Sequence, residues 1–465
     1  MKNILLYLLI LSSSSFIFSC TTINDDARSA PEQSDLQISS DEEKAVETFN
    51  RFLDMLNSSS KTRASVADAR VASVRKTSSG AYSGTPQTRS GDAQGLAMYE
   101  LTLENPDNSK GFAVVADPAF ADQVIAYAPV GSLADTTYNL GLAMYLKEFA
   151  MLLEAPEQVA TRTDYWQPNW QDIFPEVPGT REFVRWLEPY EYGQGNGQSW
   201  IYSDPIDYTE LNTAYVPTRW DQENPYNNLV PYYVSGTSKR VRVGCASVAI
   251  GQIMAFHQHP STYNWSLLTQ SPTIPPWIYI TDGENQLEDQ TPAQAEVAQL
   301  LHDIATAAGT DYDTEADSGG TDVYMVVPAL NAMGYSGTYV VIGSATGLAT
   351  LAPLREEIIT HQRPFLFCGQ THIIKNGMSV QAGHIWVVDA IWTYERWGYI
   401  SFWQYGGEHH GQEGLDRYRT QCNMLHCNWG WGGQDNGWYY NYSPPKIGGA
   451  RFYFGKTLIT GIVPL

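Results

Sequence analysis

The segment that most constrains this chain runs from Val243 to His257: Val-Gly-Cys-Ala-Ser-Val-Ala-Ile-Gly-Gln-Ile-Met-Ala-Phe-His. Its run of small and apolar residues suits a buried helix. Gly244 ends an extended approach, which places Cys245 in the first turn. Unpaired backbone N–H groups and the positive end of the helix dipole stabilise a thiolate there. A cysteine so placed has a lowered pKa and becomes a nucleophile. The competing reading of the segment alone is a buried structural thiol.

A nucleophile needs a base, and nine histidines are available. Gly383-His384-Ile-Trp-Val-Val-Asp389-Ala-Ile reads as a strand of a packed sheet with His384 at its start, within reach of a neighbouring helix N-terminus. His257 and His259 lie on or after the cysteine helix, His361 and His372 in loop-like surroundings, and His409 and His410 in a Gly-rich loop. Downstream comes His426-Cys427-Asn428-Trp429-Gly430-Trp431-Gly432-Gly433. Asn428 offers an amide oxygen that fixes an imidazole's tautomer, and Trp429 beside it shields that bond from water. The same segment also suits an aromatic turn packed on a core. Developing negative charge on a carbonyl oxygen needs donors: the Cys245 backbone N–H is one, and Gln222, 23 residues upstream, supplies a second.

The 465 residues suffice for two domains plus a leader. A net charge of −22 disfavours nucleic acid and anionic lipid headgroups as partners. Lys2, the apolar run Ile4 to Leu11 and Ser19-Cys20 describe an export signal over residues 1–19, too short to be a membrane span. Cys20 after Ser19 resembles a bacterial lipobox, in which that cysteine is lipidated and becomes the new N-terminus. An ordinary cleaved signal is the alternative. The expected place is the cell envelope, at the outer membrane or cell surface, with release after maturation as a variant.

Five cysteines, four without Cys20, are too few for a disulfide scaffold. Cys422 and Cys427 flank His426 but lack a second ligand pair, so neither metal nor cofactor is expected. Asp311 to Asp317 mimics the start of a calcium loop, but Ala316 replaces the turn glycine and Asp322 the final glutamate.

Polar residues 20–40 read as a tether. Residues 41–155 read as a small α+β unit: a helix from Asp41, a linker Ser58 to Gly91, strands at Leu96, Gly111 and Val124, and a helix Leu140 to Leu153. It holds no nucleophile, metal cluster or phosphate loop. Residues 156–200 form a connector whose Arg162, Arg181 and Arg185 offer a maturation site, and residues 201–465 carry the chemistry.

Four segments taken together resemble the streptopain family of papain-like cysteine peptidases. They begin at Trp220-Asp-Gln-Glu-Asn-Pro-Tyr-Asn, Gly244-Cys-Ala-Ser-Val-Ala-Ile-Gly-Gln, Gly383-His-Ile-Trp-Val-Val-Asp and Asn428-Trp-Gly-Trp-Gly-Gly. The 139 residues from Cys245 to His384 fall within the about 130–150 of papain-like enzymes. The resemblance implies an α+β papain-like fold, with a helical part carrying the cysteine and an antiparallel sheet carrying the histidine. By residue it implies Cys245 as nucleophile, His384 as base, Asn428 as orienter, Gln222 as oxyanion donor and Trp429 as shield. Residues 41–155 are similar to the family's inhibitory propeptide, which implies a precursor and endopeptidase activity on proteins or peptides. Ala246-Ser247 departs from the expected Val-Ala, a mild change in the first helical turn. Two other readings share these residues: a non-catalytic peptide-binding relative, and an amidase or transglutaminase-type acyl transferase.

Overall fold

The computed structural model describes residues 39–59, 69–77, 98–116, 124–134, 139–154, 185–187, 197–213, 215–277, 290–341, 351–375, 378–404, 412–440 and 457–465. The expected signal, nearly all of the tether including Cys20, most of the linker, Arg162 and Arg181 lie outside these residues, as do His409 and His410.

Helix α1 (Ser40–Ser59) begins with a capping box: the Ser39 N–H donates to Glu42 at 2.7 Å, and the Glu42 N–H returns to the Ser39 hydroxyl at 3.4 Å. Its apolar stripe (Ala45, Phe49, Phe52, Leu53, Leu56) is buried. Strands β1 (Arg70–Thr77), β2 (Met98–Glu104), β3 (Lys110–Ala116) and β4 (Val124–Ala128) form an antiparallel meander. β1 falls inside the segment expected to be linker. Its mostly exposed residues make it a solvated edge, so it lacks the apolar run that announces a strand. Helix α2 (Leu140–Glu154) follows.

The near-unbroken apolar run of β3 has a physical cause. Phe112, Val114 and Ala116 face a core shared with Leu142, Leu146 and Phe149 of α2. Ala113 and Val115 face a second core with Phe49, Phe52 and Leu56 of α1. The sheet is covered on both faces, so neither set alternates with polar residues.

That sheet continues into the C-terminal half. β4 pairs antiparallel with β13 (Gly437–Tyr440), with Tyr127 opposite Trp438. The order then runs β12 (Gln412–Asn428), β11 (Met378–Gln404), β10 (Phe365–Lys375), β14 (Thr457–Thr460) and β9 (Thr338–Val341). β6 (Gly197–Thr213) also pairs with β11, and β5 (Arg185–Leu187) with β6. His384 is therefore not at a strand start. It lies six residues inside β11, because β10 and β11 pair out to Lys375 opposite Met378.

The helical layer centres on α3 (Cys245–His257), wholly buried from Ala246 to Ala255. It packs on α4 (Pro292–Ala307), which opens with a Thr291–Gln294 capping box and Pro at its start. The hairpin β7 (Asp311–Asp313) and β8 (Ser318–Gly320) lies against the α3 N-terminus. Mixed helices and antiparallel sheet make this an α+β fold, with the cysteine on a helix and the histidine on the sheet.

Candidate active site

Cys245 is the first residue of α3, as the glycine before it dictates. Gly244 has φ 101°, a region that L side chains rarely adopt, and a Cβ there would lie 2.7 Å from the Gly319 carbonyl oxygen of β8. The backbones of hairpin and helix start thus approach closely. The expected lowering of the thiol pKa does not hold in this form of the chain. Burial pushes Cys245 up, and the backbone N–H groups of Ile385, Ala246 and Cys245 itself only partly oppose it. Cys368 and Cys427 are free thiols too, fully buried where Cys245 is half-buried, and desolvation pushes both up.

Ile385, beside the thiol, follows His384, so β11 brings His384 and Cys245 to neighbouring positions. His384 is buried, and its Nε2 lies 2.9 Å from the Trp429 carbonyl oxygen. A carbonyl only accepts, so Nε2 carries the proton and Nδ1 is the basic nitrogen. The ring is nearly parallel to Trp431, 6 degrees off with centroids 6.0 Å apart, and is flanked by Trp386 and Trp429. Burial among these rings pushes its pKa down to about 4, against the smaller effect of the Trp429 bond. The imidazole is neutral here at pH 7.

The oxygen that His384 meets is therefore the Trp429 backbone carbonyl rather than the expected Asn428 amide. Asn428 is buried and engaged elsewhere: its Nδ2 donates to Thr218 O at 2.9 Å and to Gln252 Oε1 at 3.0 Å. Its Oδ1 accepts from the Gly430 N–H at 3.3 Å. Trp429 is 1% exposed and packs on Trp386, Tyr439 and the His384 ring.

Gln222 is also buried, and its Nε2 has no hydrogen-bond partner among the described residues. Its backbone carbonyl accepts from the Val243 N–H at 3.0 Å, which ties it to the segment entering Cys245. A buried amide donor left open beside the nucleophile's segment suits an incoming oxyanion. Ion pairs brace the same edge: Glu223 and Asp317 both bind Lys239 and Arg242.

Two segments that the sequence singled out have hydrogen-bond partners within the chain. His426 Nδ1 is 2.6 Å from Asp389 Oδ1, and Asp389 Oδ2 accepts from the Val216 N–H at 3.1 Å. In the acidic loop, Asp313 Oδ1 accepts from the Glu315 and Ala316 N–H groups, each at 2.9 Å. Among the described residues no cluster of three or more His, Cys, Asp or Glu side chains is placed to hold a metal ion. Of the other histidines, His257 bonds Ile462 O at 3.1 Å, and His259 packs on the Tyr335 ring.

The residues that sequence reasoning missed come from far along the chain. The N-terminus of α2 lies on His384: a Cβ at Gly141 would be 2.7 Å from His384 Cδ2 and 2.6 Å from Trp429 Cζ3. Only glycine allows that approach. Asn139 holds the helix end in place. Its Oδ1 accepts from the Leu142 N–H at 3.1 Å, and its Nδ2 donates at 2.9 Å to Asp435 in the Gly-rich loop. The Asp435 N–H donates to Val130 O at 2.9 Å, and the Ser132 N–H donates to Asp435 Oδ1 at 3.3 Å. The other omission is Gln252, whose signal was a lone long polar side chain in the buried helix.

Residues 220–439 match the Peptidase C10 family. No curated protein matches the chain. Among solved structures, an active wild-type interpain A cysteine protease of Prevotella intermedia is 17% identical, with 54% of this chain and 94% of that chain covered at a TM-score of 0.34. A fragment of prointerpain A from Prevotella intermedia is 13% identical, covering 84% of this chain and 98% of that one at a TM-score of 0.43. The family match encloses Gln222, Cys245, His384, Asn428 and Trp429, and it makes residues 220–439 similar to the Peptidase C10 family, the streptopain family of cysteine peptidases.

Proposed function

We propose that this cysteine peptidase is an exported endopeptidase made as a zymogen and anchored through a lipid on Cys20. In the working enzyme, His384 Nδ1 takes the Cys245 proton and the thiolate attacks a peptide carbonyl. The oxyanion is held by the Cys245 N–H and the Gln222 amide. His384 then returns the proton to the leaving amine, and water hydrolyses the thioester.

The observation that carries the zymogen reading is Gly141 of α2 seated over His384 and Trp429. A segment from residues 41–155 covers the base, desolvates it and keeps it uncharged, so no thiolate–imidazolium pair forms. Cleavage within 156–200 would release that segment. The test is to express the full chain and its Cys245→Ala form, purify both, and follow their length. The wild type is expected to shorten between about residue 155 and residue 215 and then to bind an epoxide thiol-protease inhibitor at Cys245. Identical shortening of the purified Cys245→Ala chain would overturn self-processing.

A further inference from the structure

Gln252 is completely buried, in a helix interior where an amide side chain needs partners. It follows Cys245 by seven residues, close to two helical turns, so both residues project from the same face of α3. Its Oε1 accepts twice, from the Trp220 N–H at 3.1 Å and from Asn428 Nδ2 at 3.0 Å. Its Nε2 faces Asn428 Oδ1 at 3.4 Å, so the two amides form a reciprocal pair.

Each partner leads to a reacting position. Asn428 grips Gly430 N through its Oδ1 and Thr218 O through its Nδ2. Trp429, between Asn428 and Gly430, has its backbone fixed on both sides, and its carbonyl is the one His384 Nε2 meets. On the other arm, Trp220 also accepts the Gly432 N–H at 3.0 Å, and Gln222 follows two residues later. One side chain therefore ties the cysteine helix to the acceptor that orients the base and to the segment that carries the oxyanion donor.

We propose that Gln252 is a positioning residue for the peptidase reaction. It acts through Asn428 on the Trp429 carbonyl, and through Trp220 on Gln222. Asn428 then works as an intermediary, not as the histidine's own partner. This inference rests on the peptidase reading above.

The test uses the full chain, matured, with active sites counted by the epoxide inhibitor and turnover measured on a fluorogenic peptide. Gln252→Met keeps the volume and removes the polar atoms. Its kcat should fall about 10- to 100-fold with KM within about twofold, because misplaced groups cost the transition state and not the bound substrate. Gln252→Glu separates positioning from packing. Its neutral carboxylic acid can both accept and donate as the amide does, whereas its carboxylate faces the Asn428 oxygen. Burial raises such a carboxyl's pKa. The ratio of Gln252→Glu to wild-type kcat should therefore rise as pH falls, a trend that a purely structural role would not produce.

If Gln252→Met fails to fold, the pH dependence of Gln252→Glu decides: a flat ratio overturns the proposal. Unchanged kcat in Gln252→Met, beside a wild type whose activity depends on Cys245, overturns the role of Gln252 alone. A wild type with no Cys245-dependent peptidase activity overturns the peptidase reading and this inference with it.

Discussion

The cysteine corner and the histidine corner of this site are built in different ways. Cys245 is placed by its immediate neighbours: a glycine with a positive φ, a helix start and a run of buried apolar residues. His384 is placed by distant chain: the Trp429 carbonyl 45 residues on, the Trp386 and Trp431 rings, and α2 from the N-terminal region, with Gly141 against the ring. Regulation follows from this difference. A local helix start cannot readily be withdrawn without unfolding the core. A base assembled from several segments can be covered by adding one more.

The comparison is broken most severely by removing either reacting group. Cys245→Ala and His384→Ala should each reduce turnover to background, measured per folded molecule. Residual turnover in His384→Ala near the wild-type level would show that another base serves and that the histidine corner is not catalytic.

Gln222→Ala comes next. The Cys245 N–H remains as a donor, so turnover should drop on the order of 10²–10³ with substrate binding nearly unchanged. Full turnover would mean that the second donor lies elsewhere.

A pH experiment tests how deeply the base is covered. His384 titrates near 6.5 when unfolded and at about 4 in the folded chain. The unfolded chain therefore binds more protons across that window, and folded stability falls as pH drops from 6.5 towards 4. The loss is roughly 3 kcal/mol in total. Urea unfolding of the uncut Cys245→Ala chain at several pH values should show this decline, and adding His384→Gln should remove that part of it. Identical pH dependence in both chains would mean that the ring is not held neutral.

The smallest effect sharpens the contrast. In Gly141→Leu the new side chain collides with His384 and Trp429, an overpacking cost of about 1–3 kcal/mol on the covered state. The full chain should mature faster and its Cys245 should alkylate sooner, while the matured enzyme has wild-type kcat. Unchanged maturation would mean that α2 is not what restrains the base.

The helical and strand signals of the N-terminal region were plain in the sequence. The apolar spacing from Ala45 to Leu56 and the run Phe112 to Ala116 correspond to α1 and β3. So was Cys245 at its helix start. The exposed strand β1 was hidden because a solvated edge needs no apolar pattern. Asn428 was assigned the orienting role from its neighbours in sequence. Where its amide points depends on the pairing of β11 with β12, where the register shifts between Val388 and Ala390, and on Gln252 across the interface. No local pattern records that apposition.

By itself, then, the sequence determined which chemical groups are present and which local elements carry them, because helix starts, periodicity and φ preferences act over a few residues. The tertiary structure alone decided which oxygen holds His384, that the sheet runs on from β4 into β13, and that α2 lies on the base. Those outcomes depend on contacts between residues tens to hundreds of positions apart. Strand pairing and close packing choose among them, and a hydrogen-bonding group takes whichever partner that packing presents.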